Sequence, residues 1–161
     1  MMMMQEAAQA IRANWHGEDV YFTGVSTDSR TVKQGDLFVA LTGENFDGHD
    51  YIAGAIEKGA VAVMTGYQKV TMEIPTIQVE DTRLGLGQLA AYWRGRFKMP
   101  LVAVTGSNGK TTVKEMIASI LCVSVNETDG NEEFSAQVLA TKGNLNNEIG
   151  VPQMLFLLRE Q

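Results

Sequence analysis

At 161 residues the chain accommodates one average domain or two small ones, and a composition of 45% hydrophobic and 20% charged residues excludes wholesale disorder. A net charge of -6 excludes the clustered Lys and Arg that nucleic acid or an anionic membrane surface would demand, so neither partner is expected. No run approaches the roughly 18 apolar residues of a membrane span, since Ala60–Met64 and Met154–Leu158 are only five residues each.

The opening segment, Met1 to Asn14, places Met4, Ala7, Ala8 and Ile11 on one face with Gly17 just beyond, which predicts a helix with His16 at its end. It has neither a basic stretch leading into an apolar one nor a small-residue cleavage site, so no secretory signal is expected and the location implied is cytoplasmic. Val20–Ser26 and Leu37–Leu41 are rich in Val, Phe and Tyr and are separated by the turn formers Asp28, Ser29, Gly35 and Asp36, which predicts two strands. Tyr51–Lys58 reads as a helix closed by Gly59, Ala60–Met64 as a buried strand, and Thr76–Val79 as another strand after Pro75. His49, in the Asp47-Gly48-His49 turn, has no neighbouring nucleophile or metal constellation and is read as turn structure.

From Asp81, a plausible N-cap, the residues Leu86, Leu89, Ala90, Trp93 and Phe97 recur at helical spacing as far as Pro100. Leu101–Thr105 is a continuous apolar run of the kind found in a parallel strand covered on both faces, so a second unit is expected to begin near Met99. Val113, Met116, Ile117, Ile120 and Leu121 then describe an amphipathic helix, in which Cys122 is expected as a buried structural thiol. One cysteine cannot form an internal disulfide, which suits a reducing compartment. Asn126–Ser135 is acidic and is read as a solvated loop, Val138–Thr141 as a strand, and Pro152 as part of the first turn of a helix that runs to the last residue. The fold class expected is α/β: a small N-terminal α/β domain over 1–98, followed over 99–161 by the start of a separate parallel-sheet domain.

The run Gly106-Ser107-Asn108-Gly109-Lys110-Thr111-Thr112 lies between that apolar strand and the amphipathic helix. A triphosphate needs converging backbone N–H groups, a lysine and a hydroxyl for its metal ion, and this run supplies all three. Gly106 and Gly109 permit close backbone approach, Lys110 is placed for the β- and γ-phosphates, and Thr111 for Mg²⁺. ATP and Mg²⁺ are thus the expected cofactors. The spacing departs from the general phosphate-loop pattern, with two residues between the glycines instead of four and Val104 where the first glycine would stand.

The run Val104–Thr112 resembles the signature of the Mur ligases and their folate-polyglutamate relatives, which use this shortened spacing. Ser26–Arg30, Gly35–Leu41 and Gly43–His49 resemble the N-terminal, UDP-binding domain of the tripeptide-forming and D-alanyl-D-alanine-adding members of that family. Gly143–Pro152 is most similar to the members that add D-alanyl-D-alanine. The resemblance spans residues 22–122 and 138–158, and does not extend over 123–137.

The resemblance implies that Thr27, Ser29 and Arg30, with Glu44, Asn45 and Phe46 on a second loop, hold the uridine end of a UDP-linked precursor. Read without it, Asp28 and Ser29 make an ordinary capped turn. Asn144, Asn146 and Asn147 are turn formers by residue type, whereas the resemblance turns them toward the diphosphate and reacting end of the substrate. Asn144 and Asn147 are expected there beside Lys110 as catalytic groups, and Asn146 as a substrate contact. The reaction implied is ligation: the γ-phosphoryl group of ATP converts the carboxylate of UDP-N-acetylmuramoyl-tripeptide into an acyl phosphate, which the amine of D-alanyl-D-alanine attacks. A monomer is expected. Family members are far longer, so the chain is expected to be an N-terminal fragment and inactive alone. The alternatives are a non-catalytic module binding nucleotide or UDP precursor, or a family member adding a different amino acid.

Overall fold

The computed structural model describes residues 1–43, 46–67, 73–127, 138–141, 143 and 145–159. It divides into two compact units, one of Met1–Phe97 with Leu145–Gln161, the other of Lys98–Asn144. The expected α/β class holds.

The first unit runs β1 (Met2–Met3), α1 (Met4–Ala10), β2 (Asn14–His16), β3 (Tyr21–Phe22), β4 (Gly24–Ser26) and β5 (Asp36–Val39). After a 3-10 turn at Gly48–Tyr51 come α2 (Ile52–Glu57), β6 (Ala62–Thr65), β7 (Thr76–Gln78) and α3 (Thr82–Gly95). The second unit contributes α4 (Lys110–Glu127), and α5 (Gly150–Leu155) belongs again to the first. Five strands form one sheet in the order β2-β7-β6-β5-β4. The pairs β4–β5, β5–β6 and β6–β7 are parallel, while β2 is an antiparallel edge on β7.

Side chains alternate across this sheet, as the period of two requires. Leu37, Val39, Ala62, Met64 and Ile77 join a core with Ala7 and Ala8 of α1 and Leu86, Leu89, Ala90 and Trp93 of α3. Phe38 and Val63 point to the other face, where Ile52 and Ala55 of α2 cover them. Both faces are therefore buried, and the strands read as nearly unbroken apolar runs. Phe156 and Leu158, beyond α5, enter the first core, and Trp93 Nε1 donates to the Leu158 carbonyl at 3.3 Å.

Several expectations are corrected. The first helix is shorter than Met1–Asn14: Met2–Met3 pairs with Tyr21–Phe22, and Arg12 takes a left-handed φ of 55° that stops α1. His16 consequently lies in β2 opposite Thr76, not at a helix end. Val20–Ser26 is split into two strands serving different sheets. In the second unit neither Leu101–Thr105 nor Val138–Thr141 forms a strand among the described residues, and Leu101 and Val102 are 55% and 62% exposed. A strand exists only through a laddered neighbour, and neither run has one there. Cys122 is exposed, because the apolar side of α4, with Val113, Met116 and Ile120, is itself exposed. Of the acidic stretch Asn126–Ser135, the first two residues continue α4 and the rest lies outside the described residues.

Candidate functional site

Because β4 to β7 are parallel, the four loops that leave their carboxyl ends gather along one edge of the sheet, the edge where open α/β sheets hold ligands. These are the loops beginning at Thr27, Ala40, Gly66 and Val79. A cleft of about 720 Å³ opens there, lined by residues of the last three, among them Thr42, His49, Tyr67 and Glu80, and by Arg83 of the first turn of α3.

The loop after β4 is built around Asp28. Its carboxylate accepts from Arg30 N at 2.9 Å, from Nε at 2.9 and 3.2 Å, and from Nη2 at 2.7 Å, while its carbonyl accepts from Thr31 N at 3.0 Å. Side-chain hydrogen bonds from Arg30, then its backbone N–H, hold the Asp28 carboxyl down to about 2. The Asp28-Ser29 turn is thus a capped one, as residue type alone suggested, and it presents Ser29 half-buried and Arg30 exposed. Thr27 Oγ1 accepts from Gln153 Nε2 of α5 at 2.5 Å.

The loop after β5 closes on itself: Thr42 bridges Asp47, and Gly43 N donates to the Phe46 carbonyl at 2.9 Å. Phe46 is exposed, and Glu44 and Asn45 lie outside the described residues. Asp47 caps the following turn, accepting from His49 N at 3.0 Å and lying 2.5 Å from His49 Nδ1. The backbone N–H of His49, then its ring, keep the Asp47 carboxyl below its ordinary value. Gly48 is required for this turn, since a Cβ there would lie 2.6 Å from the Leu41 carbonyl oxygen. His49 is therefore turn structure, yet its Nε2 is buried and without a partner among the described residues, as is Arg83 Nε. Both residues line the cleft, and buried polar atoms left unpaired by protein are where a polar ligand or water belongs.

The turn before α5 carries Asn146 and Asn147, both exposed, while Asn144 lies outside the described residues. Asn147 Oδ1 closes the turn that leads into α5 by accepting from Gly150 N at 2.7 Å and Ile149 N at 3.3 Å. Glu148 pairs with Arg83 at 3.1 Å. Arg83 and Gln153, which tie this segment to the loops of the sheet edge, were not singled out from sequence. Their partners are 41 to 126 residues away, and no local pattern carries such a pairing.

In the second unit, residues 106–109 lead into α4 at Lys110. Gly109 has a φ of 76°, in the region that disfavours side chains, and a Cβ there would meet only open space. Its backbone is strained for anything but glycine, so the demand is conformational and not steric. The backbone N–H groups of residues 107–112 have no acceptor among the described residues, and they include the unpaired donors of the first helical turn. Lys110 Nζ folds back on the Gly106 carbonyl at 2.6 Å, which sets the cation over the same loop. Ser107, Asn108, Thr111 and Thr112 are exposed there. Free amides, a positive charge and two adjacent hydroxyls are the donor set that a polyphosphate and its metal ion require.

The model of the Mur ligase family catalytic domain matches residues 21–94, and that of the Mur ligase middle domain matches residues 104–161. The chain is 41% identical over 157 residues to the UDP-N-acetylmuramoyl-tripeptide--D-alanyl-D-alanine ligase of Haemophilus influenzae, covering 97% of this chain and 33% of that one. It superposes on a crystal structure of MurF from Acinetobacter baumannii with a TM-score of 0.82 at 40% identity, covering 96% of this chain and 32% of the other. On MurF ligase from Thermotoga maritima in complex with ADP the TM-score is 0.68 at 34% identity, covering 86% and 30%. The chain thus spans about one third of the length of the curated relatives it matches. With two models of one family on its two successive segments, and solved members that share its fold, the chain belongs to the Mur ligase family.

Proposed function

We propose that this chain is the precursor- and nucleotide-binding part of an ATP-dependent ligase of peptidoglycan synthesis, one that joins D-alanyl-D-alanine to UDP-N-acetylmuramoyl-tripeptide. The observation that carries this reading is the loop 106–112, whose backbone N–H groups from 107 to 112 have no acceptor among the described residues and whose Gly106 carbonyl accepts from Lys110 Nζ at 2.6 Å. The activity for which the relatives are named, and the ADP held by the Thermotoga maritima structure, support it.

Bound ATP with Mg²⁺ would supply the phosphoryl group that makes the precursor carboxylate electrophilic. The loop amides and Lys110 then bind and orient the phosphates and neutralise the charge that develops on them, with the Thr111 hydroxyl as the metal ligand. Gly106, Ser107, Asn108, Gly109 and Thr112 complete that binding loop. Thr27, Ser29, Arg30, Glu44, Asn45 and Phe46 take the uridine end, a role supported by the gathering of their loops at one sheet edge beside a cleft with two unpaired buried nitrogens. Asn144, Asn146 and Asn147 serve the diphosphate and reacting end.

The domain boundary proposed lies near Met99, giving 1–98 for precursor binding and 99–161 for the start of the ATPase domain. The gap between the two family models, from residue 94 to residue 104, supports it. The packing of Leu145–Gln161 with Met1–Phe97 adds that residues after 144 serve the first unit as well. A cytoplasmic location suits substrates that are charged, nucleotide-linked molecules, and a monomer is proposed with it.

Calorimetry tests the reading. The chain, titrated separately with ADP in the presence of Mg²⁺ and with UDP-N-acetylmuramoyl-tripeptide, is expected to bind both. A folded chain that binds neither at millimolar concentration would overturn the proposal.

A further inference from the structure

We infer that Arg83 is a positioning residue, whose guanidinium holds the loop after β5 and the turn before α5 in one register, so that a ligand seated against the first loop is sensed by the second. The inference rests on the precursor-binding role proposed above, though its core is a structural linkage that can be tested without it.

The linkage begins with a helix cap. Asp81 Oδ1 accepts from Arg83 N at 2.7 Å and from Leu84 N at 3.1 Å, which fixes Arg83 on the first turn of α3 at the carboxyl edge of the sheet. From there Nη2 donates to the Thr42 carbonyl at 3.0 Å and Nη1 donates to Glu148 Oε1 at 3.1 Å. Thr42 is one foot of the loop closed by the Thr42–Asp47 bridge and by Gly43 N on the Phe46 carbonyl. Glu148 follows Asn147, whose Oδ1 accepts from Gly150 N at the start of α5. One planar fork therefore spans two loops that are otherwise held by separate local hydrogen bonds. A lysine, with a single nitrogen, would not reproduce it.

This arrangement contributes little to folding. The side chains of Arg83 and Glu148 are 41% and 65% exposed, and ion pairs so open to water are strongly screened. Arg83 Nε is nevertheless buried without an acceptor among the described residues, an unfavourable burial that the exposed pair offsets poorly. What the side chain does achieve is geometry: it fixes the spacing between the wall of the cleft at Thr42 and the Asn147-Glu148 turn.

The experiment is amide hydrogen exchange on the whole chain, reading Gly43 and Gly150 as reporters of the two loops and Val63, bonded to the Pro75 carbonyl, as a sheet control. Arg83→Ala is expected to speed exchange at both reporters about tenfold while Val63 stays unchanged. Exchange at both within about twofold of the parent would overturn the inference. Glu148→Ala keeps the Thr42 contact and removes the acceptor of the second, so it should speed Gly150 and leave Gly43 alone. It also decides the matter should Arg83→Ala fail to fold, because an unchanged Gly150 would count against the linkage. In a second arm, uridine diphosphate is titrated into the parent, and slowed exchange at Gly150 as well as Gly43 is the expected result. If it slows Gly43 alone, the sensing is refuted. If it affects neither, the precursor-binding reading falls, while the two variants still decide the linkage.

Discussion

Gln153 Nε2 donates to Thr27 Oγ1 at 2.5 Å, joining α5 to the loop after β4 across 126 residues of sequence. The bond is partly buried, so each partner would lose a satisfied hydrogen bond if the other were removed. Gln153→Ala is expected to lower the unfolding free energy by about 1 kcal/mol. Thr27→Ser, which keeps the hydroxyl, should cost less than half as much. Urea denaturation of the three proteins checks this, and equal losses for both variants would show that the bond is not what holds the segment.

Gly48→Ala places a methyl group 2.6 Å from the Leu41 carbonyl oxygen and 2.7 Å from the Leu41 nitrogen. Backbone cannot yield as the end of a flexible side chain can. The expected loss is about 2–3 kcal/mol, typical of overpacking. Gly87→Ala in α3, where a Cβ meets nothing within 4 Å, is the matched control and should be neutral or stabilising. A Gly48→Ala protein that melts with the parent would contradict this close approach.

Asp28 predicts an acid dependence. Its carboxyl is held at about 2 in the folded chain against an ordinary 3.8, so the unfolded chain binds the proton more readily. The stabilisation is present above about pH 4 and is lost as pH falls through about 2. The side chain is 37% exposed, so screening holds the effect to about 0.5 kcal/mol. The stability difference between the parent and Asp28→Asn, measured by denaturation from pH 6 to pH 2, should therefore shrink with acid. A difference that grows on acidification would reverse the sign argued here.

Lys110→Ala separates binding from folding. The side chain forms one exposed hydrogen bond, to the Gly106 carbonyl, so melting should move by no more than about 0.5 kcal/mol equivalent. A charge-assisted contact to phosphate contributes about 1.5–3 kcal/mol, so ATP affinity should fall by about ten- to a hundredfold. In a ligase containing this loop, turnover should fall by about two to three orders of magnitude. Affinity within about threefold of the parent would remove Lys110 from the phosphate site.

The amino-acid sequence by itself determined what depends on neighbours along the chain. The Asp81 cap of α3, the closure of α2 at Gly59, the turn at Asp28 and the glycine-lysine-threonine loop all follow from residue type and spacing, because their hydrogen bonds span only a few residues. The buried runs of β5 and β6 were legible for a related reason, since strands covered on both faces are apolar throughout. Tertiary structure decided the rest. Leu101–Thr105 has the composition of a strand but no laddered partner among the described residues, and Cys122 has the pattern of a core residue on a helix whose apolar side is exposed. The linkage of Thr42 to Glu148 through Arg83, and of Thr27 to Gln153, has no local signature at all. Pattern fixes which side a residue prefers, whereas burial and long-range pairing depend on what the fold brings against that side.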